Sequence, residues 1–191
     1  MKIGIEEIFT TPILVAELDL DLNKIVDYCY NYKNSNSGRK ISNFGGYQSN
    51  DIDLNDNLLI DLKNNVNNIV SDVGRSILNL NNNLKISNYW FNINNYKDFN
   101  IPHKHSFSIL SCVFYAKVPE NSGRLVLTND YEIPCYLETK FVMRGNKFNS
   151  TERIFNPKDN SLFIFPSWIN HFVEPNMSKE DRISFAFNTY I

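Results

Sequence analysis

Histidine, cysteine and glycine are all scarce in this 191-residue chain, and each scarcity narrows what the protein does. Its three cysteines, Cys29, Cys112 and Cys135, are odd in number and have neither zinc nor redox spacing. No disulfide framework or thiolate cluster is expected, and free thiols in a reducing compartment are the default. The glycines at 45, 46 and 123 lack the spacing of a phosphate-binding loop. Neither sign of charge is in excess: 19 basic against 21 acidic residues leave a net charge of -2, which gives no footprint for nucleic acid or a membrane surface. No apolar run approaches the roughly 18 residues of a membrane span. Acid at Glu6 and Glu7 comes too early for a signal peptide. The expected location is cytoplasmic.

What is present is ordinary globular material. A hydrophobic content of 42% with 14% aromatic residues lies well above the disordered range, and the length suits one domain, 1–191, with a full core. Residues 8–18 are β-branched and apolar around Pro12 and read as an opening strand. Residues 21–33 read as a short helix and 38–50 as a glycine-rich polar loop. Leu58, Leu59, Leu62, Val66, Ile69, Val70, Val73 and Ile77 recur at helical spacing, which predicts an amphipathic helix over 55–78. Asn64, Asn65, Asn67 and Asn68 fall mainly on its other side.

Near residue 85 the period changes to two. Runs at 86–95, 109–118, 124–128, 132–143, 152–156, 161–166, 170–174 and 182–190 are strand-like, with turn signals at 120–123 and 156–160. The expected fold is mainly β: a double-stranded β-helix (a jelly roll of cupin type) over 85–191, with the N-terminal helices of 1–84 packed on one face.

The three histidines carry the chemistry. His103 and His105 form an H-x-H pair, and His171 follows 66 residues later at the edge of another strand-like run. Imidazoles at i and i+2 of one strand share a face, so both members of the pair can reach one ion. Imidazole suits Fe(II), which needs only two or three protein ligands to keep positions open. His103, His105 and His171 are the candidate metal ligands. A two-histidine centre in which His105 only hydrogen-bonds nearby fits the sequence equally well. The competing reading is structural, with the pair capping a strand and His171 satisfied in the core; three histidines in this order with an arginine behind them argue against it.

Arg182 opens an alternating strand that puts Arg182, Ser184, Ala186 and Asn188 on one face. A planar guanidinium beside a hydroxyl suits bidentate capture of a carboxylate. The competing reading is a surface arginine paired with Glu180 or Asp181. Tyr115 adds either a phenolic hydrogen bond to the same carboxylate or only packing. Trp90, Asn92 and Asn94 share a strand face, and Asn92 or Asn94 is a candidate contact for a bound small molecule. The segment 129–150, with Tyr131, Tyr136, Lys140 and Arg144, is the candidate substrate-facing lid.

Several segments together resemble the 2-oxoglutarate/Fe(II) oxygenases found in phage and marine bacterial genomes. They are Phe9-Thr10-Thr11-Pro12-Ile13, Gly45-Gly46-Tyr47-Gln48-Ser49-Asn50, Tyr89-Trp90-Phe91-Asn92-Ile93-Asn94 and Pro102-His103-Lys104-His105. The likeness continues through Leu110-Ser111-Cys112-Val113-Phe114-Tyr115, Val118-Pro119-Glu120-Asn121-Ser122-Gly123, Phe165-Pro166-Ser167-Trp168-Ile169-Asn170-His171 and Arg182-Ile183-Ser184-Phe185-Ala186-Phe187-Asn188. Two departures stand out: Cys112 replaces a glycine, expected to narrow the site, and Ser106 replaces a proline in the loop that sets His105. The resemblance implies a double-stranded β-helix with Fe(II) and 2-oxoglutarate as cofactors. It makes His103, His171 and Arg182 the catalytic set, with Arg182 and Ser184 holding 2-oxoglutarate and Tyr115 and Asn92 as the further candidate contacts to it. It also implies that O2 is consumed, 2-oxoglutarate becomes succinate, and a C–H bond of an unidentified small molecule or protein side chain is hydroxylated. The implied setting is the cytosol of a bacterium or phage-infected host. Two rivals remain at this point: a cupin-like three-histidine dioxygenase without 2-oxoglutarate, and a metal-free phage structural or binding protein.

Overall fold

The computed structural model describes residues 2–129 and 144–191. The strand expected over 132–143 lies outside the described residues, as does most of the expected lid, including Tyr131, Tyr136 and Lys140. Arg144 is described and exposed. In chain order the elements are β1 (Leu14–Glu17), α1 (Leu22–Ser35), β2 (Asn43–Phe44), β3 (Tyr47–Gln48), α2 (Ile60–Ser76), β4 (Lys85–Asn94) and β5 (Phe99–His103). There follow β6 (Leu110–Lys117), β7 (Leu125–Thr128), β8 (Glu152–Phe155), β9 (Ser161–Pro166), β10 (Asn170–Val173) and β11 (Arg182–Tyr190).

The strands form two antiparallel sheets. One runs β1-β9-β6-β11-β4-β3 and the other β2-β5-β10-β7-β8. The expected double-stranded β-helix is therefore what forms. The N-terminal third supplies more than helices: β1 is an edge strand of the larger sheet, while β2 and β3 put the glycine-rich 38–50 segment into both sheets. Gly45 and Gly46 make this possible at positive φ (68° and 63°), and a side chain at 46 would press 2.8 Å from the Ile93 carbonyl oxygen.

The larger sheet has an apolar layer on each face. Along β11, Ile183, Phe185 and Phe187 join Leu62, Val66, Val70 and Val73 of α2 and Ile25 and Cys29 of α1 in one buried cluster. Tyr28 and Tyr32 of α1 meet the Phe91 ring edge-on at 6.4 and 5.5 Å. Each such buried side chain contributes about 1.5–3 kcal/mol, which outweighs the poor helix propensity of the asparagines in α2. Asn64, Asn65 and Asn68 are exposed, whereas Asn67 is half-buried and accepts the Ile86 N–H through Oδ1 at 3.1 Å. Leu58 and Ile77, counted in the predicted stripe, instead lie outside α2 and are exposed. The second cluster, Val113, Tyr115, Leu125, Leu127, Phe163, Phe165, Ile169 and Val173, fills the space between the sheets.

Strand β5 was not legible as a strand. Pro102 lacks the N–H a ladder needs, and the pairing of β5 with β10 shifts register between His171 and Val173, opposite it. In consequence His103 ends β5 and His105 lies beyond it. The expectation that the pair share one strand is corrected: a loop brings the second ring round. The opening strand is also shorter than residues 8–18, beginning only at Leu14.

Candidate metal centre and carboxylate cradle

His103 and His171 are direct register partners on β5 and β10, so their rings rise on the same side, 4.3 Å apart by centroids. His171 also pairs Leu127 of the inter-sheet cluster and is 2% exposed, which places this side inside the barrel. His105 is held by its backbone N–H, which donates to the Ser167 carbonyl at 3.0 Å. Its ring lies 5.1 Å from each of the other two. One ring nitrogen from each histidine lies within 4.8 Å of the others, close enough to share one ion.

The second nitrogens decide the tautomers. His103 Nδ1 meets the Ile101 carbonyl oxygen at 2.7 Å, and His171 Nδ1 meets that of Ile169 at 3.0 Å. A carbonyl only accepts, so Nδ1 carries the hydrogen in both rings. His105 Nδ1 faces Asn188 Oδ1 at 2.6 Å, which assigns the same tautomer. All three rings therefore present Nε2 lone pairs, the state a metal needs. Burial reinforces it. Desolvation pulls His171 down to about 3, aided by His103 and His105, and against the Ile169 hydrogen bond. Burial lowers His105 to about 4 against the Asn188 bond, and lowers His103 against the Ile101 bond. Trp90 stacks on His105 at 5.6 Å and 28°, and Phe165 meets His171 edge-on at 4.8 Å.

Arg182 is fully buried, which removes the surface reading: Lys117 pairs Glu180, and Tyr30 and Asn95 donate to Asp181. Its Nη1 donates to the carbonyls of Ser122 and Glu174. Nε and Nη2, the side-on fork, have no partner among the described residues, and neither does the Tyr115 hydroxyl. Burial lowers the Arg182 pKa, with Tyr115, Asp98 and Glu174 opposing; the guanidinium remains a cation. Burial pushes the Tyr115 phenol up to about 12, with Arg182 opposing, so it stays a donor. Ser184 pairs Asn92 on one side and Tyr115 on the other, and Arg182 pairs Asn94. A buried fork and hydroxyl left unsatisfied cost about 1–3 kcal/mol each. A carboxylate, which offers acceptors alone, satisfies them.

The candidate metal ligands and carboxylate-binding residues thus all lie on the inner, inter-sheet side. The structure also adds residues the sequence reading did not assign. Asn188 holds His105, Trp90 stacks on it, and Gly123 makes room for Arg182. Gly123 has φ +89°, and a Cβ there would meet the Glu174 carbonyl oxygen and come 2.8 Å from Arg182 Nη1. Asn188 is visible in the sequence as the fourth residue on the Arg182 face and the last of the segment that carries the resemblance, with no role attached. Cys112 packs with the helix-side cluster, pairing Phe187, so it does not narrow the site as expected. Ser111 is the neighbour that faces inward, opposite Asn188.

No curated protein matches the sequence. Among solved structures, a prolyl-4-hydroxylase from Pseudomonas putida superposes with a TM-score of 0.67 at 13% identity, covering 94% of this chain and 93% of that one. The viral collagen prolyl hydroxylase of Paramecium bursaria Chlorella virus-1, solved with 2-oxoglutarate, gives 0.60 at 10% identity over 94% and 96%. A Trichoplax adhaerens prolyl hydroxylase, solved with a peptide fragment of hypoxia inducible factor, gives 0.65 at 14% identity over 93% and 83%. These likenesses establish the fold. Residues 88–188, from β4 to β11, match the family model described as "Putative 2OG-Fe(II) oxygenase". The match holds both the histidines and Arg182, and the chain belongs to the 2OG-Fe(II) oxygenase family, oxidoreductases that use Fe(II) and 2-oxoglutarate.

Proposed function

We propose that the protein is a hydroxylase whose Fe(II) is held by His103, His105 and His171, with Arg182, Ser184 and Tyr115 holding 2-oxoglutarate. The observation that carries this reading is the buried, unpartnered fork of Arg182 on the inner face of one sheet, opposite the sheet whose inner side bears three histidines fixed in one tautomer. Both halves fit the cofactors they would take.

When bound, Fe(II) with 2-oxoglutarate supplies O2 activation: 2-oxoglutarate is oxidised to succinate and CO2 while a substrate C–H bond is hydroxylated. The chain's own part is binding, orientation and exclusion of water. Three neutral imidazoles leave the full +2 charge of the ion, which a dianionic cosubstrate offsets. Arg182 and the Tyr115 hydroxyl take the far carboxylate, and Ser184 stands beside them on the strand. The Phe163 ring, edge-on to Tyr115 at 5.9 Å, keeps that end dry, which strengthens each charged contact. Imidazole at position 105, where a carboxylate is usual in this class, makes the centre a three-histidine one. Asn188 supports that assignment, since it fixes the His105 ring as the two backbone carbonyls fix the others.

The substrate is a small molecule or a protein side chain, and the peptide-bound Trichoplax structure supports the second. Among the described residues no helix is long and apolar enough to cross a membrane. The buried free thiols of Cys29 and Cys112 support a reducing cytosol, bacterial or phage-infected. Anaerobic addition of 2-oxoglutarate to the Fe(II)-loaded protein tests the proposal. A visible charge-transfer band that saturates with 2-oxoglutarate is expected, followed by succinate release on admitting O2. Absence of the band in protein that retains its iron overturns it.

A further inference from the structure

One row of polar side chains crosses the inner face of the larger sheet. Tyr115 pairs Ser184, Ser184 pairs Asn92, Asn92 pairs Gln48, and Gln48 bridges to Arg39. Paired residues of antiparallel strands point to the same side. Tyr47, the neighbour of Gln48, packs in the helix-side cluster, so Gln48 points inward. With strands about 4.8 Å apart, the three steps from Tyr115 to Gln48 span roughly 14 Å. A five-carbon diacid with bonds of about 1.5 Å fills only about half of that. The Tyr115–Ser184 end adjoins Arg182 and is the cosubstrate's. The Gln48 end is left over.

That end is built to hydrogen-bond. Gln48 is 1% exposed; its Oε1 accepts the Ile41 N–H at 3.2 Å, while its Nε2 has no partner among the described residues. Asn92 Oδ1 and Arg39 Nε, both buried, are likewise unpartnered. The Arg39 charge is already offset by Asp51 at 2.6 Å, and its guanidinium lies over the Trp90 ring at 5.2 Å. Trp90 is two residues from Asn92 on the same face and stacks on His105, so this subsite adjoins the histidines.

A neutral patch with a donor (Gln48) and an acceptor (Asn92) on adjacent strands complements a ligand with a C=O and an N–H side by side. An extended residue of a polypeptide presents that edge. From this row we infer that Gln48 and Asn92 seat the main chain of an extended polypeptide substrate beside the metal. The inference rests on the assignment of the Arg182 end to 2-oxoglutarate. A carboxylate ligand is disfavoured, because it would face the Asn92 oxygen and find the nearest cation already paired.

The test uses the full chain loaded with Zn(II) and 2-oxoglutarate, and follows the Gln48 side-chain amide and the Trp90 indole N–H by 15N NMR. The probes are N-acetylalanine-N-methylamide, propionamide and acetate. The peptide probe is expected to shift both signals and to saturate in roughly the millimolar range, as suits a ligand of about ten heavy atoms. Gln48→Glu keeps the acceptor for Ile41 N–H, exchanges the free donor for a second acceptor, and adds a negative charge on the Arg39 side of the row, away from Arg182. Gln48→Glu should therefore abolish the Trp90 response while 2-oxoglutarate affinity stays within about twofold, since the two ends share no partner. Three results overturn the inference: no saturable shift with the peptide probe, a response to propionamide or acetate alone, or a Gln48→Glu variant that responds like wild type. Failure of the wild type to bind 2-oxoglutarate would instead strike the underlying assignment, and it is read separately by titrating 2-oxoglutarate without probe.

Discussion

Asn188 Oδ1 accepts a hydrogen bond from His105 Nδ1 at 2.6 Å, and Asn188 lies on the same face of β11 as Arg182. One strand thus steadies a metal-facing ring near one end and presents the carboxylate fork at the other. His105 needs that support because it sits beyond the end of β5, where no ladder orients it. Asn188→Ala should lower metal affinity by about 10- to 100-fold, the usual cost of losing a partner behind a ligand. Asn188→Asp keeps the acceptor and should restore most of it. Mn(II) titration followed by electron paramagnetic resonance reads both, and equal affinities for wild type and Asn188→Ala would remove Asn188 from this role.

The three histidines should not be equivalent. His103→Ala or His171→Ala should abolish Fe(II) binding, because each removes one of two rings locked in register across β5 and β10. His105→Ala should weaken binding without abolishing it. His105→Asp should bind at least as tightly as wild type, a carboxylate taking over the same position. Iron content after anaerobic gel filtration distinguishes the variants. Full occupancy in His103→Ala or His171→Ala would show the assignment to be wrong.

Gly123 sets the space for Arg182. A methyl group there would meet the Glu174 carbonyl and press 2.8 Å from Arg182 Nη1, at a φ of +89° that L residues rarely adopt. Gly123→Ala should cost about 1–3 kcal/mol of stability from backbone strain alone. It should also weaken 2-oxoglutarate binding by displacing the fork. Thermal melts paired with 2-oxoglutarate titration test this, and a variant unchanged in both would refute it.

Acid should destabilise the metal-free protein through the same histidines. Folded, His105 titrates at about 4 and His171 at about 3, both held neutral by burial, against about 6.5 in an unfolded chain. Below pH 6.5 the unfolded state takes up protons that the folded state refuses, so stability falls as pH falls, down to the folded values. The melting temperature should be level above neutrality and decline from pH 6.5 toward pH 4. His171→Gln, which cannot titrate, should flatten part of that decline. An identical slope in the variant would contradict the assignment.

Much of this was legible in the sequence. The alternation along Arg182-Ile183-Ser184-Phe185-Ala186-Phe187-Asn188 placed the arginine and serine on one face, and the register with β4 and β6 bears that out. The α2 stripe was read correctly through Leu62, Val66, Val70 and Val73, and overextended at Leu58 and Ile77, whose periodicity outruns the helix. Strand β5 escaped because Pro102 reads against a strand, and a shifted ladder accommodates it. Asn188 and Gln48 escaped for a different reason. Their roles depend on which strands are neighbours, and a sequence separation of 83 residues between His105 and Asn188 leaves no local signal.

The most direct measurement is the affinity of the Mn(II)-loaded protein for 2-oxoglutarate, by calorimetry under nitrogen, for wild type and Arg182→Ala. Losing a buried bidentate arginine partner costs about 2–5 kcal/mol, or roughly thirtyfold to several thousandfold in Kd. Arg182→Ala should raise the Kd by that order while Mn(II) binding is kept, and Arg182→Lys should recover only part, because an ammonium lacks the planar fork. An Arg182→Ala variant that binds 2-oxoglutarate as tightly as wild type would contradict the account.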